Sequence, residues 1–496
     1  MPSVAPSSPP RHRPARPRQP VRVDAATLPW VRVAPGAPYF ETEDGAPWTP
    51  VGQNDAIAWL ELAGLFRRRD LDGVERHLRW LRAHGVTCLR LMLEYCHGEH
   101  RYLERPAGRM VPAMVRLWDD LFALCERTGL RVLLTPFDTF FTWRRWGRHP
   151  YNRRNGGPCA SRTRLLTCAD TRAAIKGRLA FAAERWGGSG ALFGWDLWNE
   201  LHPAHAGDDA GGLGEVVAEL SSHVRAVELR THGRAHPQTV SVFGPSLDEH
   251  PALREVVFRH PALDFATSHL YARGTIDAPR NTVDAALDVG RLTRSALAEA
   301  PHGRPFLDSE HGPIHSFKNR RRTLPEPFDD EYFRHMQWAH AASGGAGGGM
   351  RWPNRHPHRL TDGMRRAQRS FADFLPLLDW SRFRRRNLDG ALRVLGPAGP
   401  LPGVAAFGCG DGRQAFVWLL RRDQLAGDGM VRRDAPPVAP TVEIPGASAG
   451  RWRVTAWDTR VGARAGELLV EHAGGGPLRV RVPAFATDVA LAAGLV

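Results

Sequence analysis

The chain has 496 residues, of which 42% are hydrophobic and 24% charged, with a formal net charge of +15. This is the composition of a globular protein, and it excludes a wholly disordered or fibrous chain. No uncharged apolar run approaches the ~18 residues that span a bilayer, so we expect no integral membrane segment. Six cysteines without a CxxC pair exclude a small disulfide scaffold and a zinc ribbon.

The positive charge is almost entirely arginine, since all but two of the 67 basic residues are of that type. We interpret it as a solvated, arginine-biased surface and expect no nucleic-acid partner. Residues 1–27 are rich in proline and arginine and are predicted to be disordered. A nucleic-acid anchor in this tail is the alternative. The tail contains no apolar stretch typical of a secretory signal, so we expect a cytoplasmic protein, with export by a non-standard route left open.

Short apolar runs alternate with amphipathic stretches over residues 48–378. Asp44-Gly45 predicts a hairpin just before them. Strands are predicted at 48–54, 86–93, 130–137, 191–198, 239–243, 264–271, 304–309 and 348–352. Helices are predicted at 70–84, 110–128, 170–186, 214–231, 282–300, 328–342 and 362–378. Eight strands alternating with helices indicate an α/β protein, a (β/α)8 TIM barrel at residues 28–380. A doubly wound sheet is disfavoured because no Gly-rich phosphate turn follows the first strand.

The pattern changes at residues 381–496. Short strand-like runs there are separated by turns rich in glycine and proline, which is typical of an all-β sandwich module. Such a module either binds polysaccharide or covers one flank of the barrel, and we take packing as the default interpretation.

Polar and aromatic residues lie at or near the C-terminal ends of several predicted barrel strands. Because functional side chains of a barrel lie at the C-terminal ends of its strands, these residues are candidates for the site. They are Asn54, Arg90, Asn199, Glu200, His269, Tyr271, Glu310 and Trp352. Glu200 and Glu310 each end an apolar run, and two carboxylates facing one cleft suit cleavage of a glycosidic bond. The structural alternative for either glutamate alone is an ion pair with a neighbouring arginine.

The run Trp198-Asn199-Glu200 at the fourth strand, with Glu310 at the seventh, resembles glycoside hydrolase clan A. The resemblance is closest to family 5, which contains many cellulases and β-mannanases, and it covers about residues 39–378. It implies that Glu200 is the acid/base, that Glu310 is the nucleophile and that the anomeric configuration is retained. It implies no metal and no organic cofactor.

The same resemblance implies roles for five further residues. Asn199 is similar to the asparagine that holds the sugar 2-hydroxyl, and Arg90 to the arginine that keeps the nucleophile ionised. His269 and Tyr271 match the pair on the sixth strand, of which the tyrosine contacts the nucleophile. Trp352 resembles the tryptophan that forms the floor under the sugar.

The chain departs from the family at the end of the third strand. Family members often carry an Asp-Trp-His-like run there, whereas this chain has Thr-Pro-Phe137-Asp138, so Phe137 is expected in place of the histidine. Asp138 is kept as a substrate-binding residue and a reserve carboxylate. An insertion at 143–167 is expected to cap the cleft, and its Trp143, Trp146 and Tyr151 are either sugar platforms or packing residues.

These features predict a monomeric retaining hydrolase that acts on a polysaccharide or oligosaccharide substrate, a β-linked glucan or mannan. One alternative keeps the mechanism but takes an acidic or self-made exopolysaccharide, or an intracellular glycoside, as the substrate. Another is a carbohydrate-binding protein without turnover on a hydrolase scaffold, for which Phe137 is the one supporting observation.

Overall fold

The computed structural model describes residues 28–67, 69–314, 323–355 and 358–496, and the tail for which disorder is expected lies outside these ranges. A small antiparallel sheet comes first. Its strands are β1 (Val31–Val33), β2 (Phe40–Thr42) and β3 (Pro47–Trp48). Strands β2 and β3 form the predicted hairpin, and Gly45 at its turn has a φ of 85°, in the left-handed region that glycine adopts without steric cost.

Eight parallel strands follow and form a barrel. They are β4 (Gly52–Asp55), β5 (Cys88–Met92), β6 (Arg131–Thr135), β7 (Leu192–Asp196), β8 (Gln238–Thr239), β9 (Ala266–Leu270), β10 (Phe306–His311) and β11 (Met350–Arg351). The strands pair in the order β8-β7-β6-β5-β4-β11-β10-β9. A parallel bridge between Phe243 and His269 brings the two ends of this sheet together. The predicted (β/α)8 barrel is therefore confirmed.

Helices connect the barrel strands and cover them on the outside, and nearly every strand residue is buried as a result. The helices are α1 (Gly64–Arg67), α2 (Leu71–Ala83), α3 (Pro112–Thr128), α4 (Thr139–Arg144), α5 (Ala169–Trp186), α6 (Leu213–His232), α7 (Ser246–Glu249), α8 (Thr282–Glu299), α9 (Glu326–Ala342) and α10 (Asp362–Phe374). Short 3-10 turns lie at Tyr95–Glu99, Trp146–Arg148, Arg153–Asn155, Arg162–Arg164, Pro203–His205 and Leu375–Leu377, and a π-turn lies at Glu255–Arg259. None of the helices in the described residues combines the length and hydropathy needed to cross a bilayer.

The first and the last barrel strand begin later than their sequence patterns predict. The predicted strand at 48–54 is divided, because Trp48 pairs with Phe40 in the hairpin and the barrel strand begins only at Gly52. Pro50 lies between the two parts and has no N–H to donate to a ladder. The last strand begins at Met350 rather than at 348, since Gly349 adopts a left-handed φ of 74°.

The C-terminal residues form two antiparallel sheets, which confirms the predicted sandwich. Their strands are β12 (Arg386–Asn387), β13 (Arg393–Gly396), β14 (Gly399–Pro400), β15 (Val404–Gly410), β16 (Gln414–Arg421), β17 (Thr441–Ile444), β18 (Gly450–Asp458), β19 (Ala463–His472), β20 (Leu478–Arg481) and β21 (Asp488–Leu495). The six-stranded sheet has the order β12-β15-β16-β21-β18-β19, and the four-stranded sheet has the order β14-β13-β17-β20.

The larger sheet packs against the barrel helices α9 and α10. Arg334 of α9 donates hydrogen bonds of 2.6 and 2.7 Å to the buried carboxylate of Asp488, which also accepts one from the Trp418 indole at 3.0 Å. Trp338 of α9 lies edge-on to Phe416, with ring centroids 6.0 Å apart. The sandwich therefore covers one flank of the barrel.

Candidate active site

The barrel gathers the candidate residues at the C-terminal ends of its strands. Arg90 is at the centre of this group, and its side chain is fully buried. It donates hydrogen bonds to Asn54 (2.8 Å), Glu310 (3.2 Å) and Asn199 (2.5 Å). One guanidinium thereby fixes three predicted site residues that come from three different strands.

Asp196, which the sequence analysis did not select, balances the charge of Arg90. Its buried carboxylate lies 2.6 Å from the Arg90 guanidinium and accepts a hydrogen bond from the Ser241 amide at 2.9 Å. A buried arginine requires such a partner, because an unpaired charge in the barrel interior would be strongly destabilising. The only sequence signal is its position at the end of the fourth barrel strand, four residues before Glu200.

Glu310 receives two strong donors. The Tyr271 hydroxyl donates to its Oε1 at 2.8 Å, and Arg90 donates to its Oε2. Both contacts favour the ionised carboxylate. Burial acts in the opposite direction and is the larger effect, so the pKa of Glu310 lies above its ordinary value.

Glu200 has an unusual backbone conformation, which a hydrogen bond to a neighbouring strand end helps to fix. Its φ of 52° is in the left-handed region, which is unusual for a residue with a side chain, and its amide donates to the Ser241 hydroxyl at 3.2 Å. Strain of this kind is frequent at functional sites, where the surrounding structure imposes it. Burial raises the pKa of Glu200 to about 7.

His269 lies between the two glutamates. Its Nδ1 is 2.9 Å from Oε1 of Glu200 and 3.6 Å from Oε2 of Glu310. Burial lowers the pKa of His269 to about 4, so the imidazole is neutral near pH 7. Ligand atoms of these three residues all lie within 4.8 Å of one another, so the two carboxylates face each other across a short gap.

Three groups of described residues have the spacing of a cation site. They are Glu200-His269-Glu310, Glu94-His97-His149 and His202-Glu249-His250. In two of these groups an arginine donates a hydrogen bond to a carboxylate. Arg90 donates to Glu310, and Arg178 donates to Glu94 at 2.5 Å. The positive charge at those positions is therefore supplied by the chain itself.

Trp352 forms an aromatic cluster at the mouth of the barrel. It is 8% exposed, and its ring lies edge-on to Trp59 (5.2 Å between centroids) and tilted to Tyr95 (5.5 Å). Burial raises the pKa of Tyr95, and the charges of Asp138 and Glu310 raise it further. Tyr95 was missed in the sequence because it follows the second strand within a short 3-10 turn.

Phe137 does not occupy the cleft position that the sequence comparison expected. Its ring stacks on Trp198 (5.1 Å), and the Arg178 guanidinium of α5 lies 4.2 Å from its centroid, so it packs between the barrel and a helix. The neighbouring Asp138 accepts a hydrogen bond from Asn199 at 2.8 Å. Burial raises the pKa of Asp138 well above its ordinary value. Asp138, rather than Phe137, is therefore the residue from the third strand that joins the site.

The insertion at 143–167 offers one exposed aromatic side chain. Tyr151 is fully buried and Trp146 stacks over His149 (5.6 Å), so both pack within the fold. Trp143 is 38% exposed and lies edge-on to His202 (4.9 Å), two residues beyond Glu200. Of these three aromatic residues, Trp143 is the most exposed and the best candidate for a sugar platform.

We expect Trp352→Ala to weaken binding of a glycan about 2- to 3-fold, because the roughly 20 Å² of indole face that its 8% exposure leaves open is removed from under a sugar ring. The dissociation constant can be measured by calorimetry with a Glu310→Gln background that prevents turnover. Trp80→Ala is the matched control, since Trp80 is half-buried on α2 outside the barrel. An unchanged affinity in Trp352→Ala would remove the residue from the binding surface.

No protein-family model matches the chain, and no curated protein matches it in sequence. Among solved structures, a glycoside hydrolase aligns with a TM-score of 0.61 at 12% identity, over 95% of this chain and 99% of its own. A glycoside hydrolase family 5 protein from Bacteroides vulgatus ATCC 8482 aligns with a TM-score of 0.60 at 11% identity, over 95% of each chain. The expected likeness to family 5 is thus confirmed for the fold, barrel and sandwich together.

Proposed function

We propose that this protein is a retaining β-glycoside hydrolase. The observation that carries the proposal is the pair Glu200 and Glu310, of which one carboxylate oxygen each lies within 4.8 Å of the other across the cleft. Retaining enzymes hold their two carboxyl groups ~5–5.5 Å apart, whereas inverting enzymes leave ~6.5–9.5 Å for a water molecule. The short gap supports direct attack by one carboxylate on the sugar.

The surroundings of the two glutamates support a division of roles. Glu310 faces two donors, Arg90 and Tyr271, that stabilise a negative charge, as a nucleophile requires. Glu200 has a pKa of about 7 and is therefore partly protonated near neutral pH, as a general acid requires. In the first step Glu200 protonates the leaving oxygen while Glu310 forms a glycosyl ester. In the second step Glu200 takes a proton from water, which attacks the anomeric carbon and releases Glu310.

We further propose a neutral β-linked glucan or mannan as the substrate. Four carboxyl groups, those of Asp138, Asp196, Glu200 and Glu310, lie around the guanidinium of Arg90, which disfavours an anionic sugar at the point of cleavage. The acidic-polysaccharide hypothesis relied on the basic surface and finds no support in the cleft. Phe137 packs behind the sheet, so the observation that favoured binding without turnover no longer applies.

The proposal is tested by incubating the protein with a panel of neutral and acidic β-glycans and following the anomeric protons of the products by NMR. We expect cleavage of a neutral glucan or mannan, with the β-anomer appearing first. Initial release of the α-anomer would exclude the retaining mechanism. Binding without cleavage of a glycan would support a carbohydrate-binding protein instead.

A further inference from the structure

The strand that carries Glu310 contains a β-bulge. In the pairing of β9 with β10, Asp308 lies opposite Ser268 and Glu310 lies opposite His269, so Ser309 is an extra residue without a partner. A bulge of this kind interrupts the hydrogen-bond ladder and changes the direction of the next side chain.

The bulge places two consecutive residues on the inner side of the barrel. Ser309 contacts the Thr267 hydroxyl at 2.6 Å, and Thr267 is two residues before His269 on the same face of β9. Glu310 also points inward, toward Arg90. Regular alternation would turn Glu310 away from the cleft, because a shift of one residue moves a side chain to the other face of a sheet.

Asp308 accepts hydrogen bonds from the backbone on both strands beside the bulge. Its Oδ1 accepts hydrogen bonds from the amide of Glu310 (3.2 Å) and from the amide of Leu270 on the neighbouring strand (3.4 Å). The carboxylate thus bridges β9 and β10 at the position where their ladder is broken.

The other oxygen of Asp308 is held in place as well. Its Oδ2 lies 2.7 Å from Nδ1 of His311, and both side chains are buried. The backbone of Gly349 packs directly on this pair, since a Cβ at that position would lie 2.9 Å from Oδ2. Asp308 therefore has one well-defined orientation.

We propose that Asp308 is a positioning residue for Glu310: its carboxylate fixes the bulge that turns the Glu310 side chain into the cleft. The inference rests on the proposed role of Glu310 as the nucleophile. Asp308 itself faces His311 and the α9 residue His340, whose Nε2 accepts from the Asp308 amide at 3.3 Å, and it acts through the backbone of Glu310.

The test compares Asp308→Ala with Asp308→Asn. The alanine variant loses both acceptor contacts, and we expect the rate at which an activated 2-fluoroglycoside labels Glu310 to fall by about 10²-fold, the effect of a misplacement of roughly 1 Å. The affinity for the unreacted glycoside should change less than 3-fold, since Asp308 does not line the cleft; this is an estimate of about 0.6 kcal/mol or less. Asparagine has the same shape as aspartate and keeps the Oδ1 acceptor of both amides, so it is a close substitute. We expect Asp308→Asn to label at close to the wild-type rate.

Hydrogen exchange at the Glu310 amide gives a second measurement that needs no activity. It should accelerate in Asp308→Ala and stay slow in Asp308→Asn. Asp488→Asn is the matched control, because Asp488 is also buried but lies in the sandwich interface. If the alanine variant does not fold, Asp308→Ser replaces it, since its hydroxyl is too short to reach both amides.

A folded alanine or serine variant that labels at the wild-type rate with a protected Glu310 amide would overturn the inference. An equal loss of labelling rate in the asparagine and alanine variants would also overturn the inference. The acceptor oxygen, which asparagine keeps, would then not be what positions Glu310. If wild type neither cleaves glycans nor becomes labelled, the proposed function fails, and amide exchange alone still decides whether Asp308 holds the bulge.

Discussion

Glu310→Ala is expected to reduce turnover of a good glycan substrate by about 10⁴-fold or more, the scale of loss seen when a covalent nucleophile is removed. The variant retains Arg90 and Tyr271 but removes the carboxylate to which both donate hydrogen bonds. No glycosyl ester can form, so both steps of the double displacement are lost. Initial rates on the substrate found in the glycan panel measure the effect.

Chemical rescue separates loss of the nucleophile from loss of the fold. Azide is small enough to occupy the space left by the Glu310 side chain and can attack the sugar there, with Glu200 still protonating the leaving group. The product is then the α-glycosyl azide, which is inverted relative to a β-linked substrate. Glu299→Ala is the matched control, because Glu299 also pairs with arginine but lies on the outside of the barrel. Wild-type turnover by Glu310→Ala would remove Glu310 from the chemistry.

The barrel and the two glutamates could be predicted from the sequence because they depend on local patterns. Apolar runs of strand length followed by polar residues mark the ends of barrel strands, and Glu200 and Glu310 stand at two of them. Arg90, His269 and Tyr271 were found by the same rule. The structure brings all five together.

Contacts between distant strands could not be predicted in the same way. The bulge at Ser309 exists only in the pairing of β9 with β10, and no local pattern marks it. The positions of Phe137 and Asp138 depend on which face of a strand each residue occupies, and an error of one residue exchanges the two faces. In the sequence, Asp196 is not distinguishable from any other buried strand residue. Its role becomes visible only in the structure, where it pairs with Arg90, 106 positions away.

Both Glu200 and Asp138 have carboxyl groups whose pKa is raised by burial, so the structure offers two candidates for the proton donor. Asp138 accepts hydrogen bonds from Asn199 and from the Phe140 amide, each at 2.8 Å, which occupy one of its oxygens. Glu200 has His269 as its neighbour and lies across the gap from Glu310. The geometry therefore favours Glu200 as the acid.

The dependence of kcat/KM on pH distinguishes the two candidates. The general acid must be protonated in the first step, so activity should fall as pH rises through the pKa of Glu200, about 7. On the acidic side activity should fall once Glu310 becomes protonated. Because the two carboxyl groups interact, the two limbs report apparent values for the pair. Glu200→Gln should remove the basic limb, whereas Asp138→Asn should keep it.

Glu200→Gln is expected to lower turnover of a natural glycan by about 10²- to 10⁴-fold, the contribution of general acid–base catalysis. A dinitrophenyl glycoside needs no protonation of its leaving group, so formation of the glycosyl ester should survive while its hydrolysis slows. Azide should then accelerate turnover and give the β-glycosyl azide, the opposite anomer to that from Glu310→Ala. If Asp138→Asn instead removes the basic limb and yields the β-azide, Asp138 is the acid and Glu200 holds another role.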